Sequence, residues 1–161
     1  MLALEIFRAH KKEVVDAWVE AVYATYPFET TGFLRTRQDP FGNPVAHMTK
    51  EAAATLFDSV AGEDMYPPTV KTALERFVKL RAVQKFVPSQ SMAVIYVMKP
   101  ILREHILPRL ADVGQLAAYL EAESRLDSLA LLAFDIYCEA RETLAEARIK
   151  EIRTQHAQLA R

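Results

Sequence analysis

The sequence predicts an all-α protein. Three observations carry this: only 4 glycines interrupt 161 residues; the strong helix formers Ala, Leu, Glu and Arg are abundant; and apolar residues recur at three- and four-residue intervals, the period of an amphipathic helix. At this length a single domain over residues 1–161, with a real core, is the expectation. The periodic segments make about five to six helices, the last of them long.

The first helix is predicted from about Glu5 to Ala24, on the stripe Phe7, Val14, Val15, Trp18 and Val22. Tyr26-Pro27 stops it, because a residue before proline is pushed out of the helical region. A long connection follows, from Pro27 to Met48, with turn formers at Gly32, Asp39-Pro40, Gly42 and Asn43-Pro44. So long a loop is unusual in a compact domain and invites a functional role. An ordered arm held by Phe28, Phe33, Leu34, Phe41 and Val45 is the simpler reading. The second helix is expected from an N-cap at Thr49 to Gly62, burying Ala53, Leu56, Phe57 and Val60. The third runs from Val70 to Gln84, led in by Pro67-Pro68. The fourth runs from Gln90, capped by Ser89, to about Leu107. It is apolar all round between Met92 and Met98, which marks a central helix, and Pro100 inside it predicts a kink.

From Asp112 to Arg161 no proline intervenes, so the segment holds one long helix or two with a small break. Leu126–Cys138 is nearly apolar all round and is expected to be deeply buried. Beyond Tyr137 the apolar positions thin to Ala140, Leu144, Ala147, Ile152 and Leu159. That narrow seam suits a helix over 138–161 that projects from the domain and pairs with its copy in a homodimer. A solvated tail is the competing reading.

The least ordinary feature lies in the third helix. Its apolar stripe is Val70, Ala73, Leu74, Phe77 and Val78, and at 100° per residue Arg81 and Gln84 fall in the middle of it. A guanidinium facing a core needs a partner, because an unpaired buried charge costs several kcal/mol. Asp127 and Asp135 share one face of the last segment. They are either acid–base groups or the partners that neutralise Arg81, and the second needs fewer assumptions. Arg81, Gln84, Asp127 and Asp135 thus form an expected buried polar network.

Composition excludes several functions. A net charge of −1 and a pI near 6.4 argue against nucleic-acid binding, which calls for a basic excess. The longest apolar runs fall far short of the roughly 20 residues that span a bilayer, so no membrane insertion is expected. The N-terminus lacks the apolar run of a signal peptide, and the lone Cys138 cannot close an internal disulfide; both suit the cytoplasm. His10, His47, His105 and His156 are isolated from one another and from Cys138, so no metal is expected. No histidine stands between His47 and His105, where a haem ligand belongs in a five-helix arrangement with a long last pair. Ser89 and Ser91 lack a nearby histidine, and no Gly-rich phosphate loop occurs. The expectation is a protein that is not an enzyme and carries no cofactor.

Two segments go beyond pattern. One is Tyr26-Pro27-Phe28-Glu29-Thr30 with Asp39-Pro40-Phe41-Gly42-Asn43-Pro44-Val45; the other is Arg81-Ala82-Val83-Gln84-Lys85-Phe86-Val87-Pro88-Ser89-Gln90. With Arg125-Leu126-Asp127 and Ala133-Phe134-Asp135-Ile136-Tyr137, they resemble the N-terminal domain of the RsbT co-antagonist (RsbRD) family over nearly the whole chain. The resemblance implies a globin-like helical bundle without haem that dimerises and serves as the sensory part of stressosome proteins. Relatives carry regulatory phosphorylation sites on a C-terminal STAS domain. This sequence ends where that domain would begin, so no such site is carried over and a stand-alone version is the expectation. The functional expectation is therefore a sensor or adaptor acting through dimerisation and an unidentified signalling partner. The alternative is a small-molecule carrier with a pocket near Arg81 that holds an anionic group.

Overall fold

The computed structural model describes residues 2–39 and 41–160, and only the backbone of residue 28. Among these residues there are seven α-helices and no strand: α1 (Ala3–Ala9), α2 (Lys11–Tyr23), α3 (Phe28–Thr36), α4 (Pro44–Ala61), α5 (Pro67–Val83), α6 (Pro88–His105) and α7 (Val113–Leu159), with a 3-10 turn at Leu107–Arg109. The fold is all-α with a long C-terminal helix. The segment after Asp112 is one unbroken helix of 47 residues, about 70 Å long at the usual rise per residue.

Three local outcomes in the first half of the chain differ from expectation; in the second half, α6 starts at Pro88 with Val87, not Ser89, at its N-cap. The first helix divides at His10, whose φ of −112° and ψ of 10° leave the helical region and start α2 on a new axis. The connection from Pro27 to Met48 holds α3, which absorbs the expected turn former Gly32 into a helix. There Thr31, 6% exposed, donates its hydroxyl to the Tyr23 and Pro27 carbonyls. Of the arm's apolar residues, Leu34 is buried, Val45 half-buried, and Phe33 and Phe41 are exposed. The expected roles of Phe28's side chain and of Pro40 lie outside the described residues.

The third difference is the start of α4, which is capped by Asn43 and not by Thr49. Asn43 Oδ1 accepts from the Ala46 N–H at 3.2 Å, and Pro44 occupies the first helical position, where a missing N–H costs nothing. The Nδ2 donates to the carbonyls of Leu34 at 3.2 Å and Arg37 at 3.0 Å. One buried amide thus closes the end of α3 and opens α4. Replacing it removes all three bonds and leaves buried carbonyls behind, so Asn43→Ala is expected to cost about 2–3 kcal/mol, to be read from urea denaturation. At its other end α4 stops at Gly62, the only described residue with positive φ (95°), and Arg125 Nε donates to the Val60 carbonyl at 2.9 Å. A cation at a helix C-terminus satisfies an orphan acceptor and complements the dipole.

The core forms where α2, α4, α5 and α6 pack around one another and around the first half of α7. Trp18 is fully buried, stacks obliquely on Phe77 with ring centres 5.4 Å apart, and donates its indole N–H to the Val94 carbonyl at 2.7 Å. That carbonyl lies in α6, so α2, α5 and α6 meet at this ring. The buried face of α7 mixes the small residues Ala122, Ala130 and Ala133 with the larger Gln115, Tyr119, Leu126, Ile136 and Tyr137. Small side chains let neighbouring helices approach closely. Pro100 sits within α6 without ending it and is exposed.

Two ion pairs set the antiparallel register of α6 on α7: Lys99 to Asp127 at 2.8 Å and Arg103 to Glu123 at 2.8 Å. Glu123 also accepts from the Tyr119 hydroxyl at 2.9 Å. The hydrogen bond from Arg103 holds the Glu123 carboxyl below its ordinary value of 4.5, against the opposing pull of burial. A carboxyl depressed in the folded state stabilises at pH above its unfolded value, and loses that contribution as pH falls through its folded value. Wild type is therefore expected to exceed Glu123→Gln in stability at neutral pH, and the gap is expected to close below about pH 4.5. Denaturation series at pH 7 and pH 3 measure both.

Candidate regulatory surfaces: a buried arginine, a cleft and the outer face of the long helix

Arg81 is 1% exposed. It points inward because α5 keeps its phase through Ala73, Leu74, Phe77 and Val78, all buried. Its Nε donates to the Ser91 carbonyl at 3.3 Å, one terminal nitrogen to Thr25 Oγ1 at 3.1 Å, and the other to the Gln90 carbonyl at 3.1 Å. The Phe86 ring lies over the guanidinium, 4.4 Å from its carbon, with Tyr26 and Phe77 at 5.8 and 5.9 Å. Cation–π contact and neutral acceptors thus stand where a carboxylate was expected. Burial lowers the affinity of this guanidinium for its proton, but arginine starts so high that it stays charged.

The expected partners are elsewhere. Asp127 is ion-paired with Lys99, and its side chain is 54% exposed. Asp135 is also exposed. Asp127 is thus held toward α6, and neither aspartate pairs with Arg81, whose side-chain bonds go to Thr25, Gln90 and Ser91. Gln84 joins the site from a different direction: it is half-buried past the end of α5, and its Oε1 accepts from the Tyr26 hydroxyl at 2.9 Å. Tyr26 and Phe86 meet edge to face at 5.6 Å. The network that exists is Arg81, Gln84, Thr25, Tyr26 and Phe86, with backbone carbonyls of the first turn of α6. Thr25 and those carbonyls carried no distinguishing sequence signal. The family-like segment Arg81–Gln90 did contain Phe86.

Beside this network opens a cleft of about 680 Å³. Tyr26, Pro27, Val45, Val83 and Phe86 give it apolar walls; Thr25, Thr30, Gln84 and Gln90 add polar groups; and Lys85 is the one charged side chain among the described residues that line it. A smaller cleft of about 300 Å³ adjoins it and shares Thr25, Phe86 and Gln90 with the first. Among the described residues no group of three or more His, Cys, Asp or Glu side chains is placed to hold a metal ion.

The second surface runs along α7. Eight large apolar residues of this helix are exposed, among them Val113 at 82%, Leu131 at 64% and Leu159 at 85%; the others are Leu116, Leu120, Phe134, Ile149 and Ile152. At 100° per residue all eight fall within an arc of about 80°. Val113, Leu131 and Ile149 recur about every five turns and stack along one line, as do Leu116, Phe134 and Ile152. The expected burial of Leu126–Cys138 therefore holds for one side only. The expected seam divides as well: Ala140, Leu144 and Ala147 continue the core-facing side, whereas Ile152 and Leu159 belong to the exposed stripe with Ile149. From Arg141 to Ala160 every residue is exposed except the half-buried Leu144. No helix of the described residues is long and apolar enough to cross a membrane.

Comparison with known proteins gives one match. No curated protein and no solved structure is similar enough to match the chain. Residues 12–152 match the family described as the RsbT co-antagonist protein rsbRD N-terminal domain, from the start of α2 to the exposed end of α7. The match takes in Arg81, the cleft and most of the apolar stripe, and the chain belongs to this family of signalling sensor domains.

Proposed function

We propose that this protein is a non-enzymatic regulatory domain in bacterial stressosome-type signalling, working in the cytoplasm as a homodimer joined along the outer face of α7. The family supports the signalling role, and the exposed stripe on α7 carries the dimer. Past Leu144 every described residue of the helix is exposed, and helices in proteins draw most of their stability from packing an apolar face rather than from propensity. An apolar line extending along both the body and this segment gains most from a partner with the same line. A second copy supplies that through a two-fold axis, each stripe covering its twin.

In this reading the homodimer presents the ends of α7 to a signalling partner, in keeping with the RsbT co-antagonist name of the family. The domain's output is a change in how the two long helices sit. Light scattering on the eluting protein tests the dimer: twice the chain mass at micromolar concentration is expected, and a strict monomer there overturns it.

A further inference from the structure

Arg81 has five N–H donors, and three are used on a hydroxyl and two backbone carbonyls. Among the described residues no carboxylate forms an ion pair with it. A buried cation with only neutral acceptors keeps most of its desolvation cost. Phe86, packed over the guanidinium, lines the cleft together with Thr25, Tyr26 and Gln90, which also contact Arg81, and the same ring lines the smaller cleft. Among the described residues no acidic side chain lines the cleft, and the lining residue Lys85 adds a second positive charge. The nearest acidic residue in sequence, Glu29, is exposed in the first turn of α3 and does not line the cleft. An unneutralised cation, a lysine and aromatic walls together describe a receptor for an anion with an apolar body. The cleft's size is that of small-molecule sites, about 300–1,000 Å³.

We propose that the cleft binds a small amphiphilic carboxylic acid. Its apolar body lies against Tyr26, Val83 and Phe86, and its carboxylate is held by Lys85 and by Arg81, which is reached when the Phe86 ring turns toward the smaller cleft. A carboxylate in that position receives the N–H groups the guanidinium has left over, in a charge-assisted pair stronger than a neutral one. This deepens the sensor reading by naming the class of ligand sensed, and its regulatory meaning rests on that reading. The binding itself does not.

The test uses the full chain, labelled with nitrogen-15 and titrated with 4-phenylbutyrate and octanoate and, separately, with their amides. Saturable shifts at Thr25, Thr30, Lys85 and Phe86 are expected with the acids, and at least tenfold weaker binding with the neutral amides. Lys85→Gln, on an exposed residue, is expected to weaken the acids severalfold and leave the amides unchanged. Arg81→Met is expected to abolish the preference for acid over amide. Thr30→Trp fills the cleft from an exposed position and is expected to remove binding of all four probes, even should Arg81→Met fail to fold. Equal binding of acid and amide, or no saturable shift in the cleft with any of the four, overturns the proposal. Light scattering on the same samples keeps the two readings apart. Acid binding by a monomer sinks the dimer alone, and a dimer that binds none of the probes sinks the ligand alone.

Discussion

Phe134→Asp is expected to turn the dimer into a monomer without unfolding the chain. Phe134 is 50% exposed in the protomer, so its replacement removes little from the core, and the expected change in folding stability is within about 1 kcal/mol. Two-fold symmetry places each substitution in the interface twice, and each copy both removes an aromatic contact and brings a carboxylate into an apolar strip. A loss of about 3 kcal/mol of association, roughly a hundredfold in Kd, is a conservative figure. Leu131→Asp, on the same line, should behave alike. Val87→Asp alters an exposed apolar residue away from α7 and should leave the dimer intact. Light scattering across a concentration series reads all three. A Phe134→Asp protein that remains dimeric at low micromolar concentration shows that the interface lies elsewhere.

Arg81 gives the second large effect, with an instructive sign. Had a buried aspartate faced it, truncation would have stranded a charge at about 3–5 kcal/mol. Its acceptors are instead a threonine hydroxyl and two carbonyls in the first turn of α6. Arg81→Ala is therefore expected to cost about 2–4 kcal/mol, chiefly from the cavity left against Phe77 and Phe86. Arg81→Met refills the space of the aliphatic stem and removes an unneutralised buried cation. It is expected to lie within about 1 kcal/mol of wild type and, as with other buried ionic groups replaced by apolar ones of similar volume, can exceed it. Chemical denaturation of the two variants separates the cases: equal and severe losses from both would mean that the charge, not the volume, holds the site together.

Helix existence was legible from periodicity wherever one face was apolar and the other charged. That is why α5, with Lys71, Glu75 and Lys79 opposite its stripe, comes out within a few residues of its observed ends, and why the pattern alone sets Arg81 in the core. Its partners were not legible, because backbone carbonyls have no letter in a sequence. Asp127 and Asp135 stood out as carboxylates on one face, but the phase of that face was ambiguous. α7 is apolar on two sides, one against the core and one along the exposed stripe, and a hydrophobic pattern alone does not say which side is buried. The same ambiguity merged Ala140 and Leu144 with Ile152 and Leu159. In the arm, Pro27, Gly32 and Asn43-Pro44 read as turn formers; Pro27 and Asn43 in fact flank helices as caps, and Pro44 is the first residue of one. A proline at the first helical position and a proline that breaks a helix are the same residue to a sequence reader. Only the hydrogen bonds of Asn43 tell them apart.

The unbroken course of α7 makes it a lever. No glycine or proline softens it beyond Gly114, and its first half is held against the body while the rest is exposed. The segment past Arg141 extends about 28 Å at the usual rise per residue. A tilt of about 10° swings its tip by about 5 Å, roughly one helical turn of displacement.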